Sequence, residues 1–161
     1  MGGGIEAQSH GGKRHDANMN LSAQVDGEWN GWSRWNGLDP HEANVGPFYI
    51  RRAETGNIIT GWRIAEKNLR EGGATHGGAV MTFADFTLFS IASDCLDGND
   101  GVTVSLNCEF ASSSSVGQLV SGQGRVVRAG RSLIFVQGVL ETEKRTILGF
   151  SGIIKIIRAS P

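Results

Sequence analysis

Asp85 is the residue whose setting calls for chemistry. It stands in GAVMTFADFTLFSIAS (78–93), among Val80, Met81, Phe83, Phe86, Leu88, Phe89 and Ile91. An ionised carboxylate in such company is costly unless it is paired or used. It lies too far into the segment to cap a helix N-terminus. The positions three and four away are Met81, Thr82, Leu88 and Phe89, so no Lys or Arg on the same helix neutralises it. Two readings follow: a carboxylate satisfied by a neighbouring strand or partner chain, or an acid held for catalysis. Strongly perturbed acids concentrate at active sites, which favours the second.

Just upstream, THGG (75–78) puts small residues where the first N–H groups of a helix point outward unpaired. Those groups and the positive end of the helix dipole suit a developing oxyanion. Gly77 lets a carbonyl approach the backbone closely, with Gly78 beside it. The bland alternative is an ordinary glycine-rich junction. Gly77 and Asp85 are eight residues apart, roughly 12 Å along a helix. They cannot both touch one reacting carbonyl from one chain. If both act, a second subunit must lay its helix alongside, antiparallel, and a two-fold dimer then has two equal sites.

The elements that must position these groups follow from pattern. Residues 78–93 are apolar on nearly every side, which marks a buried helix. Residues 48–52 and about 58–67 read as strands joined by the turn residues ETGN. In 102–110, Val102, Val104, Leu106, Cys108 and Phe110 alternate with Thr103, Ser105, Asn107 and Glu109, a period of two. Strands over 118–128, 132–142 and 146–157 follow, separated by RAGR and ETEKR. Short connections imply an antiparallel meander. The expected fold is α+β, a curved antiparallel sheet of about six strands wrapped round one long buried helix. Residues 46–158 would form this domain. Residues 1–20, rich in Gly, His and polar groups, read as a disordered tail. The extension at 21–45 carries Trp29, Trp32 and Trp35, whose spacing puts three rings near one helical face. A short helix or loop packing its rings on the domain is favoured over an aromatic lid.

Composition narrows the function classes. The 161 residues are 39% hydrophobic and 19% charged, with net charge −1, so no global field recruits nucleic acid or an anionic membrane. Cys95 and Cys108 form no CxxC and there is no clustered His, hence no zinc pattern and no expected metal. The first 18 residues hold no apolar core of a secretory signal, and no stretch reads as a membrane span. A cytoplasmic chain is expected.

HGGAVMTFAD (76–85) resembles the HGG-x-x-x-x-x-A-D signature of hotdog-fold acyl-CoA thioesterases of the phenylacetic acid degradation type, in the 4-hydroxybenzoyl-CoA thioesterase superfamily. GPFYIRR, GVTVSLNCEF and VVRAGRSLIFVQGVL fall in the order that family shows, over about residues 46–158. The resemblance implies a hotdog fold and dimers or tetramers that hydrolyse acyl-CoA without metal or cofactor. By the same resemblance, the Gly77 N–H polarises the thioester carbonyl and His76 shapes the turn. Asp85 attacks the carbonyl or activates water, and Thr103 is the assisting hydroxyl on the next strand. That last role requires the Thr103, Ser105 and Asn107 face to turn away from solvent. Relatives carry Asn or Gln six residues before the His. Here Arg70 stands there, in a loop (REGGAT) longer by two, and Asn68 is the nearest Asn. Asn68 is either the displaced site residue or a loop residue bonding its own backbone.

CoA carries phosphates, and Arg125, Arg128 and Arg131 around RAGR are candidates to meet them; the alternative is that they keep a hairpin tip soluble. The acyl group would lie against Phe83 or Phe86. Two rival functions share these residues: a non-catalytic acyl-CoA-binding hotdog protein, and a hotdog hydroxyacyl thioester dehydratase. The first would need an effector domain, and 1–45 shows no helix-turn-helix. The second uses a His–carboxylate motif that is not found here.

Overall fold

Residue periodicity and turn signals resolve into one sheet and one long helix in a computed structural model, which describes residues 21, 25, 27–35 and 39–158. The expected tail, 1–20, lies outside the described residues. The strands are β1 (Phe48–Arg52), β2 (Ile58–Arg63), β3 (Asp100–Phe110), β4 (Leu119–Ala129), β5 (Leu133–Thr142) and β6 (Arg145–Ile157). A short helix, α1 (Pro40–Val45), precedes β1, and the long helix α2 (Gly77–Leu96) joins β2 to β3. Every pairing is antiparallel, in the order β1-β2-β4-β5-β6-β3. This is the expected hotdog arrangement. The second strand stops at Arg63, short of the expected 67, because Glu66–Asn68 turn as a 3-10 helix.

α2 is apolar all round because the sheet curls about it. Phe83, Leu88 and Ile154 are fully buried, and Phe48, Trp62, Phe83 and Phe86 pack ring against ring. Its polar positions are satisfied locally: Thr87 and Ser90 donate to Phe83 O and Phe86 O, one turn back. Sheet and helix touch where Gly152 leaves room. A Cβ there would lie 2.7 Å from Leu88 Cδ1 and 2.8 Å from Ser105 O. One expectation is corrected. At 20 residues α2 is long and apolar enough to cross a membrane by length and composition alone. Here it is the core helix under a sheet.

The two sheet edges differ. At β1, Ser33 exchanges both main-chain hydrogen bonds with Ile50, so the N-terminal segment covers that edge. The tryptophans do not form the expected single helical face. Gly27–Trp29 make one 3-10 turn, and Trp29 and Trp32 lie over Gly61 on the sheet's outer side. Trp29 stacks on Tyr49 at 3.9 Å, while Trp35 packs against the core. At β3 no strand among the described residues pairs the far side.

β3 also breaks its period of two. Thr103 pairs with Ile154 and Ser105 with the next residue, Ile153, leaving Val104 as an extra, bulged residue. Downstream, Leu106 and Cys108 pack toward the helix as alternation requires. Upstream the bulge shifts the phase, so Gly101 and Thr103 face the helix in place of the two valines. Val102 and Val104 are left 48% and 57% exposed.

Candidate active site

α1 supplies one wall. Asp39 caps it, accepting from His41 N at 2.9 Å and Glu42 N at 3.1 Å, with Pro40 in the first turn. The helix lies across α2, where Thr82 Oγ1 donates to Gly78 O and His41 Nε2 sits 3.0 Å from Thr82 Oγ1. Since the Thr82 proton is committed, His41 Nε2–H donates. Asn68 ties down the far end: its Nδ2 donates to Val45 O and its Oδ1 accepts from Ala65 N. In this chain Asn68 takes the second of its two expected roles, a loop residue bonding main chain. Its amide bonds main chain, including its own loop, and it braces the site without lining the Asp85 cleft.

Gly78, Thr82 and Asp85 follow one stripe of α2 and line a cleft of about 430 Å³ with Asp39, His41 and Glu42. Asp85 is half-buried. The bulge brings Thr103 Oγ1 to it, donating to Oδ1 at 2.7 Å. The face shared with Ser105 and Asn107 does not turn inward as a whole; the bulge turns Thr103 alone toward α2, and its hydroxyl is committed to Asp85 although the residue stays exposed. Burial pushes the Asp85 pKa up, the Thr103 bond pulls against this, and the charge of Asp39 adds to the rise. Glu42 goes further. Burial, then the charges of Asp39 and Asp85, raise it to about 7.

The helix start matches the sequence reading in detail. His76 is the N-cap and its Nδ1 accepts from Gly78 N at 2.9 Å. Its own N–H donates to Asn68 O at 2.8 Å. The Gly77 N–H has no acceptor among the described residues. It opens on a second cleft of about 400 Å³, lined by Arg70, Thr75, Val80, Phe110 and Ser113. Thus Gly77 and Asp85 of one chain border different clefts, as their spacing along the helix requires.

Other expected binding residues lie elsewhere. Phe86 is core, packed at 5.0 Å on Phe48, and reaches only a void of about 30 Å³ beside Glu42; Phe83 is fully buried. Neither offers an acyl surface, because both point from α2 into the curled sheet. On β4, Gly122 and Gly124 face α2, so Arg125, the residue after Gly124, faces outward. A second bulge at Val127 pairs Arg128 with Phe135, also outside. Arg131 is exposed in the following turn. In one chain these arginines border neither cleft. Sequence reasoning missed Asp39, His41 and Glu42. Their signal was present in DPHE, an N-cap Asp with Pro next and Glu three on.

The thioesterase superfamily profile matches residues 72–148, which span the HGG turn, α2 and β3 to β5. A proposed esterase of Pseudomonas aeruginosa is 30% identical over 110 residues, 68% of this chain and 82% of that protein. The chain belongs to the thioesterase superfamily. Solved structures agree with this thioesterase-superfamily fold. The Escherichia coli PaaI protein, from the phenylacetic acid degradation operon, superposes with a TM-score of 0.64 at 16% identity, covering 76% of this chain and 88% of its own. A hypothetical thioesterase of Streptococcus pneumoniae, crystallised with coenzyme A, gives 0.61 at 17% identity, covering 71% and 89%.

Proposed function

We propose that this chain hydrolyses acyl-CoA thioesters to the free acid and CoA, at sites shared between two copies. The observation that carries the reading is a hydroxyl-supported acid, Asp85, and an open amide, Gly77 N–H, held in separate clefts of one chain beside a sheet edge that no strand among the described residues pairs. Pairing β3 with the β3 of a second copy would continue the sheet. It would cover Val102 and Val104 and lay Gly77 of one copy by Asp85 of the other. Tetramers would be pairs of such dimers. The superfamily membership and the CoA held by the pneumococcal relative favour an acyl-CoA substrate.

In the mechanism, the thioester carbonyl oxygen accepts from Gly77 N–H at the positive end of α2. Asp85 of the other copy takes a proton from water, whose oxygen adds to the carbonyl carbon, or adds its own carboxylate oxygen there. The C–O π pair moves onto the oxygen facing Gly77. Its return expels the CoA thiolate, which takes up a proton; on the second route, water then cleaves the resulting anhydride. Thr103 keeps the Asp85 carboxylate ionised and aimed.

A panel of aryl, short-chain and long-chain acyl-CoAs scored for thiol release tests the activity. Asp85→Asn and Asp85→Ala should each lose about 10²–10⁴ in kcat on the best substrate. Wild-type turnover in either removes Asp85 from the mechanism.

A further inference from the structure

The two clefts carry opposite charge. Asp39, Glu42 and Asp85 line the first, with no Lys or Arg. The second has Arg70 among its lining residues, on the turn that precedes the helix, and no Asp or Glu. A polyanionic handle is repelled by the first and attracted by the second.

The second cleft holds its cation in a fixed place. The Arg70 N–H donates to Ala74 O at 2.8 Å, and Gly73 N to Arg70 O at 3.1 Å, closing a tight turn. Gly72 and Gly73 take φ of +90° and +83° in it. A Cβ on Gly72 would lie 3.3 Å from Arg70 Nη1, so the guanidinium lies across the glycine. Nη1 donates to Glu71 O at 2.9 Å, and Arg70 forms no ion pair among the described residues. The opposite wall is the serine run 112–115, joined to this turn by the Ala74–Ser115 bridge and by Ser114 Oγ donating to Thr75 Oγ1. Ser113 is exposed on that wall, its hydroxyl without a partner among the described residues.

We propose that Arg70, facing the serine run, binds the phosphates of the CoA handle, and that this fixes the direction of the substrate. The handle leaves along the Gly77 side, and the acyl group points to the wall made by His41 and Glu42 of α1. The inference rests on the acyl-CoA reading above, and it replaces the outward-facing Arg125, Arg128 and Arg131 as the phosphate ligands. A guanidinium pairs with phosphate through two parallel hydrogen bonds, which a lysine cannot reproduce.

The test is calorimetric titration of the full chain with CoA and with pantetheine, which lacks the phosphates. Arg70→Gln should weaken CoA about tenfold and leave pantetheine unchanged, with Arg70→Lys in between. Arg125→Gln should change neither. The thermal midpoint of each variant should match the parent, since Arg70 is exposed. Equal losses for CoA and pantetheine, or a loss confined to Arg125→Gln, overturn the proposal. So does a variant whose Arg70 effect appears only on acyl groups ending in a carboxylate, compared across a succinyl and a butyryl thioester. Absence of hydrolysis alongside Arg70-dependent CoA binding sinks the catalytic reading and supports this one; no CoA binding by the parent chain overturns both.

Discussion

Thr103 and Asp85 form a 2.7 Å pair in which donor and acid oppose one another's burial. Desolvation lifts the acid, so the acid limb of kcat/KM should lie above the ordinary aspartate range near pH 4. Thr103→Val removes the donor that favours the charged form. The limb should then move to higher pH, and the plateau should change less than the limb. A pH–rate profile of the two proteins reads this directly. An unmoved limb would mean that Asp85 titrates without help from the strand. At this scale the sequence was legible for His76, Gly77 and Asp85, because each sits at a position fixed by helix spacing. It was not legible for Phe86 and the RAGR arginines, because which way a side chain faces depends on how the sheet curls.

Helix and sheet meet with no slack at glycines, and Gly152 is one such position. Its missing side chain lets β6 approach α2, and any Cβ would press on both Leu88 and the Ser105 carbonyl. Backbone cannot swing aside as a side chain can. Gly152→Ala should therefore lower stability by about 1–3 kcal/mol, measured by denaturant titration, with the strand carrying Thr103 displaced as well. The elements themselves were readable from periodicity: five of the six strands and α2 begin and end close to where apolar pattern and turn residues put them. Two features were not. The bulge at Val104 leaves no mark in a sequence that alternates without interruption. α1 was hidden because a six-residue helix is too short to show a period, although its cap was in view.

Across the molecule, Met81, Val102, Val104 and Phe110 are exposed apolar residues on β3 and the adjoining turns of α2. A long edge with such residues is a template for self-pairing. Replacing Val102 and Val104 together by Lys should turn the assembly monomeric in sedimentation and reduce thioester turnover more than tenfold, although no residue of either cleft is altered. A monomer with full activity would dismiss the shared site. The carboxyl of Glu42 also couples stability to pH. Glu42 binds its proton more tightly folded than unfolded, with its pKa raised from 4.5 to about 7. The unfolded chain therefore loses that proton first, and stability falls as pH rises from about 4.5 to 7. Glu42→Gln should flatten this slope and raise Tm near pH 8 by roughly 2–4 °C, allowing for its partial exposure and solvent screening.

The extra residue in β3 has a consequence for how this strand can be laid down. Unbroken alternation would tuck both valines under the sheet, worth about 1.5–3 kcal/mol for each when fully covered, and would turn the threonine to water. The folded strand takes the less greasy choice, giving up that burial to hand a hydroxyl to an acid. A slipped strand would thus be a well-packed but idle version of the same protein. Excising Val104 abolishes the slip, since plain alternation back from Leu106 then points Thr103 inward with no kink at all.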